Sequence, residues 1–136
     1  MKKLFSSSIN ENYVSLGLLV LRLFSGAFML THGFGKFQRL FSGGEIRFMD
    51  FMGLGPTISL SLAVFAEFLC AILIMLGAAT RVAAIPLIVT MSTAGFVAHA
   101  ADPFGTKEKP LLFLVIFVSL LIMGGGKYSV DKLIGK

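Results

Sequence analysis

Charge is what this sequence has least of. Only 14% of its 136 residues are Asp, Glu, Lys or Arg, against roughly 25% in an average soluble domain, so there is too little polar surface to coat a globule in water. Tryptophan is absent, which leaves Phe and Tyr as the aromatic groups for a membrane–water boundary. A single cysteine, Cys70, excludes an internal disulfide and a CxxC redox pair. Set inside an apolar run, it reads as a small buried hydrophobe. The two histidines, His32 and His99, sit in no HxxxH or ExxH spacing, so the sequence is read as holding no metal. No phosphate-gripping glycine loop, haem motif or serine nucleophile in a recognisable context is legible, and no catalytic residue is assigned. A hydrophobic fraction of 56% excludes a disordered chain. Together these features exclude an ordinary soluble enzyme and a disulfide-stapled secreted module.

What is present is apolar and continuous. Four stretches approach the ~20 residues that a helix needs to cross a bilayer. Their boundaries fall at about residues 13–32, 57–77, 82–101 and 110–126. Unbroken apolarity is wrong for the alternating strands of a barrel, and only helices otherwise satisfy their backbone in hydrocarbon. The expected fold is therefore all-α, an integral membrane four-helix transmembrane bundle with short interfacial helices, in one domain over residues 1–136. The net charge of +5 does not point to nucleic acid, because Lys and Arg form short clusters between apolar runs and no basic stripe.

Local punctuation places the boundaries. Gly55-Pro56 opens the second helix, Gly77 to Arg81 makes a tight turn, Pro86 falls in the first turn or so of the third, and Pro110 opens the fourth after Lys107-Glu108-Lys109. Lys2 and Lys3 resemble the start of a signal peptide, but a polar stretch from Ser6 to Asn12 and the lack of a small-x-small cleavage site argue that the first span is retained. Between Gly33 and Gly55, two pieces built on Phe34, Phe37, Leu40 and Phe41, and on Ile46, Phe48, Met49, Phe51 and Met52, read as segments lying in the interface. The competing reading extends helix one and leaves a loop. Near the end, Ser129 is the expected N-cap of another short interfacial helix, with Asp131 near its positive end. Six basic residues lie on the terminal face (Lys2, Lys3, Arg81, Lys127, Lys132, Lys136) and five on the other (Lys36, Arg39, Arg47, Lys107, Lys109), so the termini are expected in the cytoplasm.

Ionisable groups within the spans ask for a reason, since each costs about 2.5–3.5 kcal/mol at mid-bilayer on insertion scales. Arg22 and Glu67 lie at matching depths, about 14–15 Å into helices one and two, and are expected to face each other as an ion pair. That pair either fixes which helix faces meet or anchors a bound head group or proton. His32, Lys36, His99 and Glu108 all fall at the loop-bearing face, where they could converge on a ligand above Arg22 and Glu67.

These same residues carry a resemblance. Leu21-Arg22-Leu23, Gly26 and His32-Gly33-x-x-Lys36, then Glu67, Gly77-x-x-Thr80-Arg81-x-Ala83-Ala84, His99, Glu108 and Gly124-x-Gly126-Lys127-Tyr128-Ser129-x-Asp131 together resemble the DoxX family of small bacterial membrane proteins. The resemblance runs from about Leu16 to Ile134. It implies a bundle in the bacterial inner (cytoplasmic) membrane, with Arg22, His32, Lys36, Glu67, His99 and Glu108 as the polar set. Some members are membrane subunits of thiosulfate:quinone oxidoreductase, and others are linked to oxidative-stress or thiol-redox complexes. The absence of a CxxC speaks against direct thiol–disulfide exchange here. The leading expectation is a membrane subunit of a redox system that binds a small hydrophobic ligand, a quinone, in the bundle and has no cofactor of its own. A non-catalytic scaffold anchoring a soluble oxidoreductase is the alternative, ahead of a small-molecule permease, which would need a homo-oligomer.

Overall fold

The computed structural model describes residues 4–135. Lys2, Lys3 and Lys136, counted above on the terminal face, lie outside the described residues. Among those described, every regular element is helical: α1 (Glu11–Leu40), α2 (Pro56–Leu76), α3 (Thr80–Ala98), α4 (Phe104–Met123) and a short α5 (Val130–Ile134). The first three are long and apolar enough to cross a membrane. α4 is as long as a span, but Lys107, Glu108 and Lys109 occupy its first two turns, leaving the apolar part from Pro110 onward.

Several boundaries differ from the sequence reading, each for a local reason. α1 continues without a break through Gly33 and Gly35 to Leu40, so the interfacial piece expected at Phe34–Phe41 is the end of the first helix. Residues 41–55 form no second helix; Gly43, Met52, Gly53 and Gly55 adopt positive φ there, which interrupts helical repetition. α3 begins at Thr80, so Pro86 falls inside it, in its second turn. α4 begins at Phe104 after Pro103, and Pro110 lies inside it. The run Gly124–Gly126 does not extend α4, because Gly124 and Gly126 both have positive φ. The tail behaves as expected in one respect: the Ser129 hydroxyl accepts from the Lys132 N–H and caps α5.

α1 and α2 pack antiparallel at very short range. A Cβ on Gly26 would collide with the Met75 side chain, and one on Gly33 with the carbonyl group of Glu67. Seven residues apart, the two glycines lie on one face of α1, with fully buried Met29 between them. Close backbone approach is how helices gain packing where lipid removes the hydrophobic drive between them. Ala71 and Ile74 of α2, Ala84 and Leu87 of α3, and Phe117 and Leu120 of α4 complete the core. Cys70 is buried among them.

Candidate functional site

Arg22 and Glu67 do not meet. The Gly26 and Gly33 contacts set the register so that Arg22 faces the C-terminal end of α2, whereas Glu67 faces Gly33, eleven residues further along α1 and about 16 Å away by helical rise. Equal depths counted from the ends of the hydrophobic runs were misleading, because α1 runs nine residues beyond Thr31 to Leu40. Fully buried Arg22 donates to the carbonyls of Ile74 and Met75, at 3.4 and 3.3 Å, and to the carbonyl of Tyr128. These include orphan carbonyls of a helix end, where positive charge is favoured. Gly77, which ends α2 at φ 70°, leaves the space that the guanidinium occupies; a Cβ there would strike both Arg22 and Ser129.

The tail completes this arrangement. Instead of serving α5 alone, Asp131 reaches across to the start of α3, accepting from the N–H groups of Ala79 (2.6 Å) and Thr80 (2.9 Å). Burial opposes ionisation of this carboxyl, yet the hydrogen bonds from Thr80 and Ala79 and the charge of Arg22 outweigh it and hold it below the usual carboxylate range. Arg22 and Asp131 thus bind the ends of α2 and α3 to the tail.

Glu67 has a different partner. Lys36 places its ammonium 2.6 Å from each carboxylate oxygen, in a pair with Glu67 only 2% exposed and Lys36 27% exposed. Lys36 is available because α1 overshoots its expected end by two turns. Glu67 lies in a π-helical turn, Phe65–Cys70, within α2. A second π-helical turn, Ala94–Ala98, closes α3. Such turns interrupt the regular ladder and occur often at functional sites.

Both irregular turns border one cavity of about 570 Å³. Lys36 and Glu67 lie on its wall, as do Ser59, Thr90, Thr93 and His99, while Leu62, Phe65, Ile85 and Val89 make it apolar. The segment after α1 contributes Phe48, Met49 and Phe51. It is tied down by the Phe51 N–H donating to Ser59 Oγ at 2.8 Å and by the Gly55 N–H donating to Asp50 at 2.9 Å. The Lys36 ammonium stands 6.0 Å from the centre of the Phe48 ring, within cation–π range. His99 Nδ1 lies 2.6 Å from a carboxylate oxygen of Asp102, and both side chains are partly open to the outside.

Of the six residues expected to converge, the structure therefore gathers three, Lys36, Glu67 and His99. Arg22 serves the opposite end of α2. His32 points outward from α1 and lines no wall of the cavity. Glu108 is exposed on a separate, wider groove of about 1010 Å³ between α1 and α4, beside Lys109. Ser59, Thr90, Thr93 and the Phe48–Phe51 segment were missed. Their signal was small but present: hydroxyls within otherwise apolar runs, and phenylalanines spaced among charges. Among the described residues no group of three His, Cys, Asp or Glu side chains gathers at metal-binding range.

Known proteins are similar to this chain over most of its length. A Bacillus subtilis (strain 168) protein named "Putative oxidoreductase CatD" is 28% identical over 129 residues, covering 94% of this chain and 93% of its own length. An Escherichia coli (strain K12) protein named "Inner membrane protein YqjF" is 32% identical over 131 residues, covering 89% of this chain and 94% of its own. An uncharacterised protein of Haemophilus influenzae is 30% identical over 128 residues, covering 89% of this chain and 85% of its own. No solved structure matches. The DoxX family model matches residues 17–100, a stretch that contains Arg22, Lys36, Glu67 and the whole cavity wall up to His99. With these bacterial relatives and its apolar helices, the chain is a bacterial membrane protein of the DoxX family.

Proposed function

We propose that the protein is a ligand-holding membrane subunit of a redox system, binding one small uncharged apolar molecule of the quinone class between α2 and α3. The observation that carries this reading is the 570 Å³ cavity with the buried Glu67–Lys36 pair on its wall. Its volume falls in the range of small-molecule sites, which combine an apolar lining with a few placed polar groups. An ion pair kept at such a place costs desolvation energy that apolar residues would not, so a role beyond packing is the economical account. The pair is also net neutral, which suits a ligand without formal charge. The relative named as an oxidoreductase agrees with a redox setting. A soluble oxidoreductase as partner, and an inner-membrane position with cytoplasmic termini, belong to the same proposal. The scaffold reading, with the Gly33–Gly55 connection and the basic ends as contact surfaces, draws less support, because Phe48, Met49 and Phe51 of that connection line the cavity.

The test is mass spectrometry of small molecules released from protein purified in mild detergent, comparing wild type with Glu67→Gln. One quinone-class species retained by the wild type and at least several-fold depleted in the variant is the expected result. Bulk phospholipid alone in both would overturn the proposal.

A further inference from the structure

The cavity's hydroxyl groups are committed in one direction, and this bears on which ligands the site accepts. Thr90 Oγ–H donates to the carbonyl of Pro86 and Thr93 Oγ–H to that of Val89, each at 2.8 Å. Ser59 Oγ–H donates to the carbonyl of Gly55 at 2.7 Å and its oxygen already receives the Phe51 N–H. Back-bonding to the residue four positions earlier is the usual resort of Ser and Thr in apolar helices. It consumes the proton and leaves lone pairs facing outward. The Glu67 carboxylate, a pure acceptor with about four lone-pair sites, gives one contact to Lys36 through each oxygen and keeps capacity on both. On the donor side the inventory is thin. Lys36 has three N–H bonds, two of them spent on Glu67, and His99 is engaged through Nδ1 with Asp102 at the edge.

From this imbalance we infer that the cavity selects a hydroxyl-bearing ring, a phenol or hydroquinone, over its carbonyl or ether counterpart, with Thr90 and Thr93 as the acceptors. The inference rests on the ligand-holding role proposed above and narrows it to the reduced member of a quinone–hydroquinone pair. A ligand whose hydroxyl points at these lone pairs satisfies both partners. A ligand offering only acceptors leaves the threonine oxygens without a donor in an apolar surrounding. The rings of Phe48, Phe51 and Phe65 on the same wall supply the faces against which an aromatic ring packs. The neutral Lys36–Glu67 pair disfavours a phenolate or carboxylate, since an anion would have to draw Lys36 away from buried Glu67.

Isothermal titration calorimetry of the detergent-solubilised protein with 4-hexylphenol and 4-hexylanisole tests this, because the two probes differ only in the hydroxyl proton being replaced by methyl. Wild type is expected to bind the phenol roughly tenfold more tightly, the worth of about one buried hydrogen bond. In the double variant Thr90→Val, Thr93→Val that advantage should shrink to less than about threefold on the same scale, with the anisole affinity and the helical circular dichroism unchanged. Equal affinity of the two probes for wild type overturns the hydroxyl selectivity and leaves the ligand-holding role standing. A phenol preference that survives in the double variant overturns the assignment to Thr90 and Thr93. If neither probe binds saturably, the cavity role fails and this inference with it.

Discussion

A single methyl group separates two kinds of glycine in α1. Gly33 lies against the Glu67 carbonyl, where a Cβ finds no room, while Gly35, two residues on, has nothing within 4 Å of an added Cβ. Gly33→Ala must therefore push α1 away from the very turn that holds Glu67, at a cost of roughly 1–3 kcal/mol for overpacking. Gly35→Ala should instead stabilise by up to about 1 kcal/mol through helix propensity alone. Thermal unfolding of both variants in one detergent checks the pair; equal shifts would show that the close contact is not a constraint. At this scale the sequence made the costly residues visible but not their partners. Arg22 and Glu67 stood out because charge within an apolar run is expensive, yet which group answers each depends on a register that glycine contacts set. Lys36, the counter-charge of Glu67, was visible but grouped with the histidines, while Arg22 is answered by the carbonyls of Ile74, Met75 and Tyr128, which no sequence pattern marks.

Among the elements, the irregular ones shape the site. The π-helical turn of α2 carries Glu67, that of α3 contributes Ala94 and Ala98, and the loop from α1 to α2 brings in its aromatic side chains. Hydrophobic periodicity registers helices well but does not show a π turn, because one widened turn leaves composition unchanged. Nor does it separate a long helix from two shorter ones when the intervening glycines keep helical φ, as Gly33 and Gly35 do here. The loop is held at its α2 end through Ser59, which takes the Phe51 N–H and donates to the Gly55 carbonyl. Ser59→Ala removes both bonds and is expected to raise hydrogen–deuterium exchange of the residue 51–55 amides roughly tenfold, in line with about 1 kcal/mol per hydrogen bond. Exchange along α4 should not change. Unaltered exchange in the loop would mean that apolar packing of Phe48 and Phe51 alone holds it in place.

For the molecule as a whole, the tail acts as a clasp on the face opposite the cavity's loop. Tyr128 gives its carbonyl to Arg22, Asp131 caps α3, the Asp131 N–H donates to the Gly77 carbonyl, and the Lys127 N–H donates to Ser15 Oγ on α1. Leu133 and Ile134, by contrast, are exposed. A chain ending at Gly126 leaves buried Arg22 without its tail partner and α3 without its cap. It should lose most of its monodisperse yield in detergent, as befits leaving a buried charge short of a hydrogen-bond partner. A chain ending at Lys132 keeps these contacts and should elute like the wild type. Similar elution of both would show that the clasp is dispensable.

The sequence by itself determined that this is an all-helical membrane protein, because long apolar runs with few charges leave the backbone no other way to satisfy its hydrogen bonds in hydrocarbon. It also determined which residues would need an explanation, since a charge within such a run is costly wherever the helices lie. Only the tertiary structure decided how those charges are answered. Arg22 closes the ends of helices, Lys36 rather than Arg22 pairs with Glu67, and His32 and Glu108 fall away from the cavity. The reason is geometric: helix register is set by where two backbones can touch, at Gly26 and Gly33, and that register gives Glu67 the charged partner Lys36 in place of Arg22, fourteen residues earlier on α1, without altering the hydrophobic pattern.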